Sequence, residues 1–129
     1  MRILIDTSCW LWMVSEPQRL SAKARRLILD AENERVLSVV SAWEISIKHS
    51  IGKLQLPVPP AEFVPSRMAI TLTTPLAMQF PHALQASQLP LHHRDPFDRL
   101  LIAQAQIEKL PILTSDRQFK LYDVEIIAS

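Results

Sequence analysis

The chain has 129 residues, the length of one ordinary domain, and 48% of them are hydrophobic against 21% charged, so it can bury a core and is not disordered by composition. Its 14 Lys and Arg against 13 Asp and Glu leave a net charge of +1, which excludes a partner recognised through overall charge; any nucleic-acid or membrane contact has to come from local clusters. One glycine and one cysteine exclude the glycine-rich phosphate loops, an intrachain disulfide and any multi-cysteine zinc site.

Arg2–Ile5 is a short β-rich run that stops at Asp6, as a buried parallel strand would. Thr7–Val14 carries Trp10, Leu11 and Val14 at helical spacing, with Cys9 as a small buried apolar residue. Ser21 suits the N-cap of a helix to about Ala31, with Ala24, Leu27, Ile28 and Ala31 on one face. Val36–Val40 reads as a second strand, and Ser41 opens a helix that runs to about Ile51 and stops at Gly52. The prolines between Leu56 and Pro65 predict a loop with at most a short helix over Glu62–Met68. Ile70–Thr73 suits a third strand, and Pro75–Leu84 a helix with proline in its first turn. Asp95-Pro96 begins a long helix to about Lys109. Ile112–Thr114 is then a fourth strand, Arg117–Lys120 a short helical turn, and Val124–Ile127 a fifth strand. Strands alternating with helices predict an α/β protein, a single domain over 1–129, with a parallel sheet covered on both faces. The apolar runs are too short to span a bilayer and the first residues lack a signal-peptide core, so the expectation is a cytoplasmic protein.

The informative feature is where the acids fall. In an open α/β sheet, ligands bind beyond the carboxyl ends of the strands. Asp6 directly follows the first strand, Asp116 comes two residues after the fourth, Glu44 four after the second, and Asp98 opens the long helix. Each has a structural explanation. Asp6 and Asp116 could cap the helices after them, Ser41 and Glu44 could form a capping box, Glu44 could pair with Lys48 one turn on, and Asp95 is a near-ideal N-cap. Two features favour a site. Asp98 shares a helical stripe with Leu101, Ile102 and Ala105, and Glu44 lies in the almost charge-free stretch from Val39 to Ile47. Carboxylates converging in a partly buried pocket repel unless a cation neutralises them, and hard oxygen ligands select Mg²⁺ or Mn²⁺. Such a pocket suits hydrolysis of phosphodiesters.

These residues resemble a known family. Ile3-Leu-Ile-Asp6-Thr-Ser8, Ser41-Ala-Trp-Glu44-Ile, Asp95-Pro-Phe-Asp98-Arg-Leu-Leu-Ile-Ala-Gln-Ala105 and Leu113-Thr-Ser-Asp116 follow the order of a PIN-domain ribonuclease, nearest to the VapC-type toxins of toxin–antitoxin pairs. The resemblance spans essentially the whole chain. It implies a three-layer α/β/α fold around a five-stranded parallel sheet, and a Mg²⁺- or Mn²⁺-dependent endoribonuclease that is homodimeric and restrained by a cognate antitoxin. Carried over by position, it implies Asp6, Glu44, Asp98 and Asp116 as catalytic acids. Asp6 and Asp98 would ligate the metal most directly and Asp116 directly or through water, while Glu44 would orient or deprotonate the attacking water. Thr7, Ser8 and Ser115 would be secondary hydrogen-bonders, and Asp95 an additional acid or simply a cap.

Around these motifs, His93, Arg94 and Arg99, with Lys48 and Arg117, are candidate grips for an RNA backbone, with a solvated loop as the plain alternative for His92 and His93. No general-base histidine is expected. Trp10, Trp12 and Trp43 read as core or interface rather than as base-stacking platforms, and the Leu56–Pro65 loop as part of a groove for an antitoxin segment. A phosphatase using Asp6 as nucleophile lacks the second acid and the lysine it would need. The competing non-enzymatic reading is an RNA- or protein-binding module in which all the carboxylates are caps.

Overall fold

A computed structural model describes all 129 residues. The elements run β1 (Arg2–Ile5), α1 (Thr7–Ser15), α2 (Ala22–Leu29), β2 (Glu34–Ser38), α3 (Val39–Ser50), α4 (Pro60–Thr71), β3 (Thr73–Leu76), α5 (Phe80–Gln88), α6 (Pro96–Glu108), β4 (Ile112–Thr114) and β5 (Ile126–Ala128), with short 3-10 turns at Pro17–Arg19 and Arg117–Leu121. The five strands form one all-parallel sheet, as the sequence predicts, and their order is β3-β2-β1-β4-β5.

Ile3, Leu4 and Ile5 are fully buried, as expected for a central strand covered on both faces. Strand alternation divides the core into two layers. Leu4, Val36 and Ile112 pack with Ala86 of α5 and Leu101, Ile102 and Ala105 of α6. Ile3, Ile5, Leu37 and Leu113 pack on the other face with Trp10 of α1, Ala24 and Ile28 of α2, and Phe63 and Val64 of α4. α3 gives Val40 to the first layer and Ile45 to the second. From β1 the chain builds outward through β2 and β3, then returns to place β4 on the other side of β1. The strand order therefore reverses between β1 and β4, where an open α/β sheet leaves a crevice. Asp6 and Asp116 follow those two strands.

Several expected boundaries differ. α3 is capped by Ser38, whose Oγ accepts the Val40 N–H at 3.0 Å, so Ser41 is buried inside the helix and makes no capping box with Glu44. The expected proline loop is largely the helix α4: Pro60 occupies its first turn, where a missing N–H costs nothing, and Pro65 lies exposed within it. Burial of Phe63, edge-on to Trp10 with ring centroids 6.4 Å apart, and of Val64 outweighs the local proline penalty. The third strand is Thr73–Leu76 rather than Ile70–Thr73, because α4 ends with Leu72 in the left-handed region at φ 53°. Pro75 lies in that strand, tolerated because β3 is a sheet edge. α5 consequently starts at Phe80, with Pro81 in its first turn. No helix is long and apolar enough to cross a membrane.

Candidate metal-dependent nuclease site

Asp6, Thr7, Ser8, Glu44, Lys48, Asp95, Asp98, Ser115 and Asp116 line a cavity of about 200 Å³ that contains no apolar side chain. It lies at the carboxyl end of the sheet, beside β1 and β4. All four predicted acids are in its wall, and so are Asp95 and the three predicted hydroxyl residues. A larger depression of about 600 Å³ over Ala22, Arg25, Arg26, Leu29 and Asp30 is a shallow surface of α2 with no converging functional groups.

Two of the acids split their oxygens between structure and site. Asp6 Oδ1 caps α1 by accepting the Cys9 N–H at 2.8 Å, while Oδ2 accepts the Thr114 hydroxyl. Asp116 Oδ1 accepts the Gln118 N–H at 2.9 Å, and its Oδ2 lies 2.8 Å from His93 Nε2. Asp95 caps α6 through Oδ1, which accepts from Phe97 N at 2.9 Å and Asp98 N at 3.4 Å. The capping and functional readings are therefore compatible, because a carboxylate has two oxygens. Glu44, 4% exposed, departs from the capping reading: Oε1 accepts the Thr7 hydroxyl at 2.7 Å, and Oε2 takes Lys48 Nζ at 2.5 Å. Thr7 Oγ1 is also 2.9 Å from Ser41 Oγ.

Five carboxylates facing one ammonium make the cavity strongly anionic. Burial raises the Asp6 pKa against the lowering effect of the Thr114 hydrogen bond, and the Glu44 charge adds to the rise. Burial, then the neighbouring Asp95 charge, pushes Asp98 up to about 7, with His93 pulling the other way and Glu44 and Asp6 adding to the rise. Burial works to lower the Lys48 ammonium, but the Glu44 hydrogen bond and the charges of Glu44, Asp95 and Asp98 outweigh it and raise the pKa. Cys9 is fully buried and its thiol is pushed up, first by burial and then by Asp6, which keeps it protonated and inert as predicted. The donor set fits a hard divalent cation: oxygens converge on a small polar cavity, and the carboxylates carry a charge burden that a 2+ ion would relieve.

The expected basic cluster separates into different roles. Arg94 and Arg117 are exposed and unpaired, free to meet a phosphate. Lys48 is already engaged by Glu44. His93 is buried, with Nε2 directed at Asp98 and Asp116, and is not a surface grip. Arg99 is a structural clamp: Nη2 donates to Ala86 O at 2.8 Å and Leu89 O at 3.0 Å, and Nη1 to Pro90 O at 3.0 Å and His93 O at 3.1 Å. These are carbonyls at and beyond the end of α5; apart from Ala86 O, which also accepts the Leu89 N–H at 3.5 Å, they have no helical partner. Arg99→Ala is expected to cost about 2–3 kcal/mol of stability, since bonds to a charged donor are lost and the Leu89 and His93 carbonyls lose their partner. The check is a fall in the chemical-denaturation midpoint of the variant. Thr114 escaped the sequence reading, although its place at the carboxyl end of β4, beside β1, was a usable signal.

A parallel α/β/α sandwich with an acid-lined crevice at the β1/β4 reversal places this chain in the class of open α/β folds that take a ligand beyond the carboxyl ends of their strands. The PIN domain family model matches residues 3–125, and the chain belongs to the PIN-domain family. It is 43% identical over 68 residues to Ribonuclease VapC16 of Mycobacterium tuberculosis; that match covers 50% of this chain and spans about half, 48%, of the relative. The fold resembles that of the DNA-bound VapBC of Salmonella typhimurium (TM-score 0.72, 14% identity, 99% of this chain and 98% of that one). It also resembles a toxin–antitoxin complex from Klebsiella pneumoniae (TM-score 0.65, 16% identity, 97% and 95% covered).

Proposed function

We propose that the chain is a Mg²⁺- or Mn²⁺-dependent endoribonuclease and the toxin of a toxin–antitoxin pair. The observation that carries this reading is the single 200 Å³ polar cavity walled by Asp6, Glu44, Asp95, Asp98 and Asp116 at the reversal of strand order. The local identity to a named ribonuclease supports the substrate class.

Asp6, Asp98 and Asp116 would hold the ion, with Asp95 within reach of the same cavity. Bound there, the cation would neutralise the carboxylates, lower the pKa of a coordinated water and offset charge growing on the phosphodiester. The chain's own residues supply the rest. Glu44, held on one oxygen by Thr7 and on the other by Lys48, would orient the attacking water and take its proton. The water oxygen would bond to phosphorus as the ester P–O bond breaks, and the departing ribose oxygen would take up a proton from bulk water. Ser8 and Ser115, exposed at the cavity, can donate to phosphate oxygens, and Arg94 and Arg117 can grip neighbouring phosphates.

An antitoxin partner is supported by the solved complexes that share the fold. A groove adjoining the acid cavity, lined by Thr7, Ser8, Leu11, Trp12, Ile45, Lys48, Lys53 and Leu54, would suit an antitoxin segment with apolar anchors. The Leu56–Pro65 segment expected to build such a groove instead turns Leu56 and Val58 inward against the core and enters α4 at Pro60. A homodimer is supported by apolar pairs one turn apart on two helices: Val39 and Trp43 on α3, and Phe80 (86% exposed) and Leu84 on α5. An RNA substrate would place the protein in the cytoplasm.

Purified protein is expected to cut RNA when Mn²⁺ or Mg²⁺ is added and to stop on addition of EDTA, read as fragment appearance on a gel. RNA binding that is indifferent to metal and never leads to cleavage would favour the binding module.

A further inference from the structure

His93 is buried, and every part of it except one ring nitrogen is tied to something fixed. Its backbone N–H donates to Tyr122 Oη at 2.7 Å, and that hydroxyl donates onward to Pro90 O at 2.7 Å. Its carbonyl accepts from Arg99. Its ring lies edge-on to Phe119, with centroids 5.8 Å apart. Nδ1 accepts the backbone N–H of Asp95 at 3.1 Å. The remaining atom, Nε2, lies 2.8 Å from Asp116 Oδ2 and 3.0 Å from Asp98 Oδ2.

A backbone amide can only donate, so Nδ1 presents a lone pair and the ring proton is on Nε2. That N–H donates to Asp116 Oδ2 in the loop after β4 and lies 3.0 Å from Asp98 Oδ2 on α6, so it faces carboxylates from two separate elements. We infer that His93 is a positioning residue of the acid site: an N–H donor that holds Asp98 and Asp116 facing each other, and not a ligand of the ion, which oxygens alone would hold. This rests on the metal-dependent reading of the same cavity. By distance, His93 with Asp98 and Asp116 could pass for a mixed histidine–carboxylate metal site, since one ligand atom of each lies within 4.8 Å of the others. The Asp95 contact argues against it. Ligation through Nε2 would put the proton on Nδ1, against another N–H, and would give up the bond to Asp116 and the contact with Asp98. As a donor, His93 instead offsets the repulsion between two like charges through a hydrogen bond to Asp116, of the strong kind made to an anionic acceptor, and through a close N–H contact with Asp98. The Arg99 clamp, the Tyr122 hydroxyl and the Asp95 cap then share one effect, which is to aim this N–H.

The test is Mn²⁺ affinity of the full chain by calorimetry for wild type, His93→Ala and His93→Gln, with pulsed EPR of the Mn²⁺-loaded wild type. Removing a residue that orients ligands typically weakens metal binding about 10- to 100-fold, so that loss is expected for His93→Ala. His93→Gln, whose amide can place an N–H near the position of Nε2, is expected to bind close to wild type. The EPR spectrum is expected to show no directly coordinated nitrogen, and ¹⁵N-histidine NMR of the metal-free wild type to show the Nε2–H tautomer, whether or not either variant folds. Direct nitrogen coupling, an Nδ1–H tautomer, or unchanged affinity in His93→Ala overturns the inference while the metal-site reading stands. A wild-type chain that takes up no Mn²⁺ overturns both.

Discussion

Replacing Asp6 with Asn is expected to slow RNA cleavage about a thousandfold or more while leaving the protein folded. The two consequences follow from different atoms of one side chain. An asparagine Oδ1 can accept the Cys9 N–H as the aspartate does, so the cap on α1 survives. The amide Nδ2 can donate to Thr114 Oγ, whose hydroxyl then turns elsewhere. Asp6 is 6% exposed and burial opposes its charge, so the neutral side chain is expected to leave the melting temperature unchanged or raised. What is lost is the anionic oxygen aimed at the cavity. Charge stabilisation at metal sites amounts to several kcal/mol, and each 1.36 kcal/mol is a factor of ten in rate. Initial rates on a labelled RNA with Mn²⁺, beside a circular-dichroism melt of the same sample, give both readings. A folded variant that cuts at the wild-type rate removes Asp6 from the site.

How much of this was visible in the sequence depends on whether the interaction is local. Asp6 and Asp116 could be found because β1 and β4 are short apolar runs that end at definite residues, and parallel pairing, Ile5 opposite Leu113, brings their carboxyl ends together. Asp98 could be found because it sits on the stripe that α6 turns to the core. Asp95 reads as a cap because a cap is a contact across two or three residues. The helix starting at Val39 could not be read with the same certainty: Ser38 and Ser41 are both good caps, and only the end of pairing with β3, Ser38 opposite Leu76, selects the first. α4 was hidden because local proline content argued one way and burial of Phe63 against α1 argued the other. His93 and Arg99 look alike in sequence, two basic residues near an acid motif. Their tasks are set by partners up to 29 positions away in His93's case and by the carbonyls at and beyond the end of α5 in Arg99's.

The second large effect is on stability, and it links pH to the cation. Asp98 is held up to about 7, first by burial and then by Asp95, and Asp6 is also raised, above ordinary carboxylate values near 4. The groups facing Asp98 are Asp95 and His93 before α6, Glu44 and Lys48 on α3, Asp6 after β1 and Asp116 after β4. For a carboxyl raised in the folded state, the native protein keeps a proton that the unfolded chain has released. Stability is therefore greater at low pH and falls as pH rises from about 4 through about 7. The metal-free protein is expected to melt at a lower temperature at pH 8 than at pH 5. A divalent cation reverses the balance, because it binds the deprotonated acids and does not compete with protons at pH 8. At a hundredfold excess over its dissociation constant it contributes about 2.7 kcal/mol, roughly 10 °C for a chain of this length. Melts at pH 5 and pH 8, each with and without Mn²⁺, should show the larger cation-induced rise at pH 8. Equal curves in all four conditions would mean that the five carboxylates neither strain the native state nor share an ion.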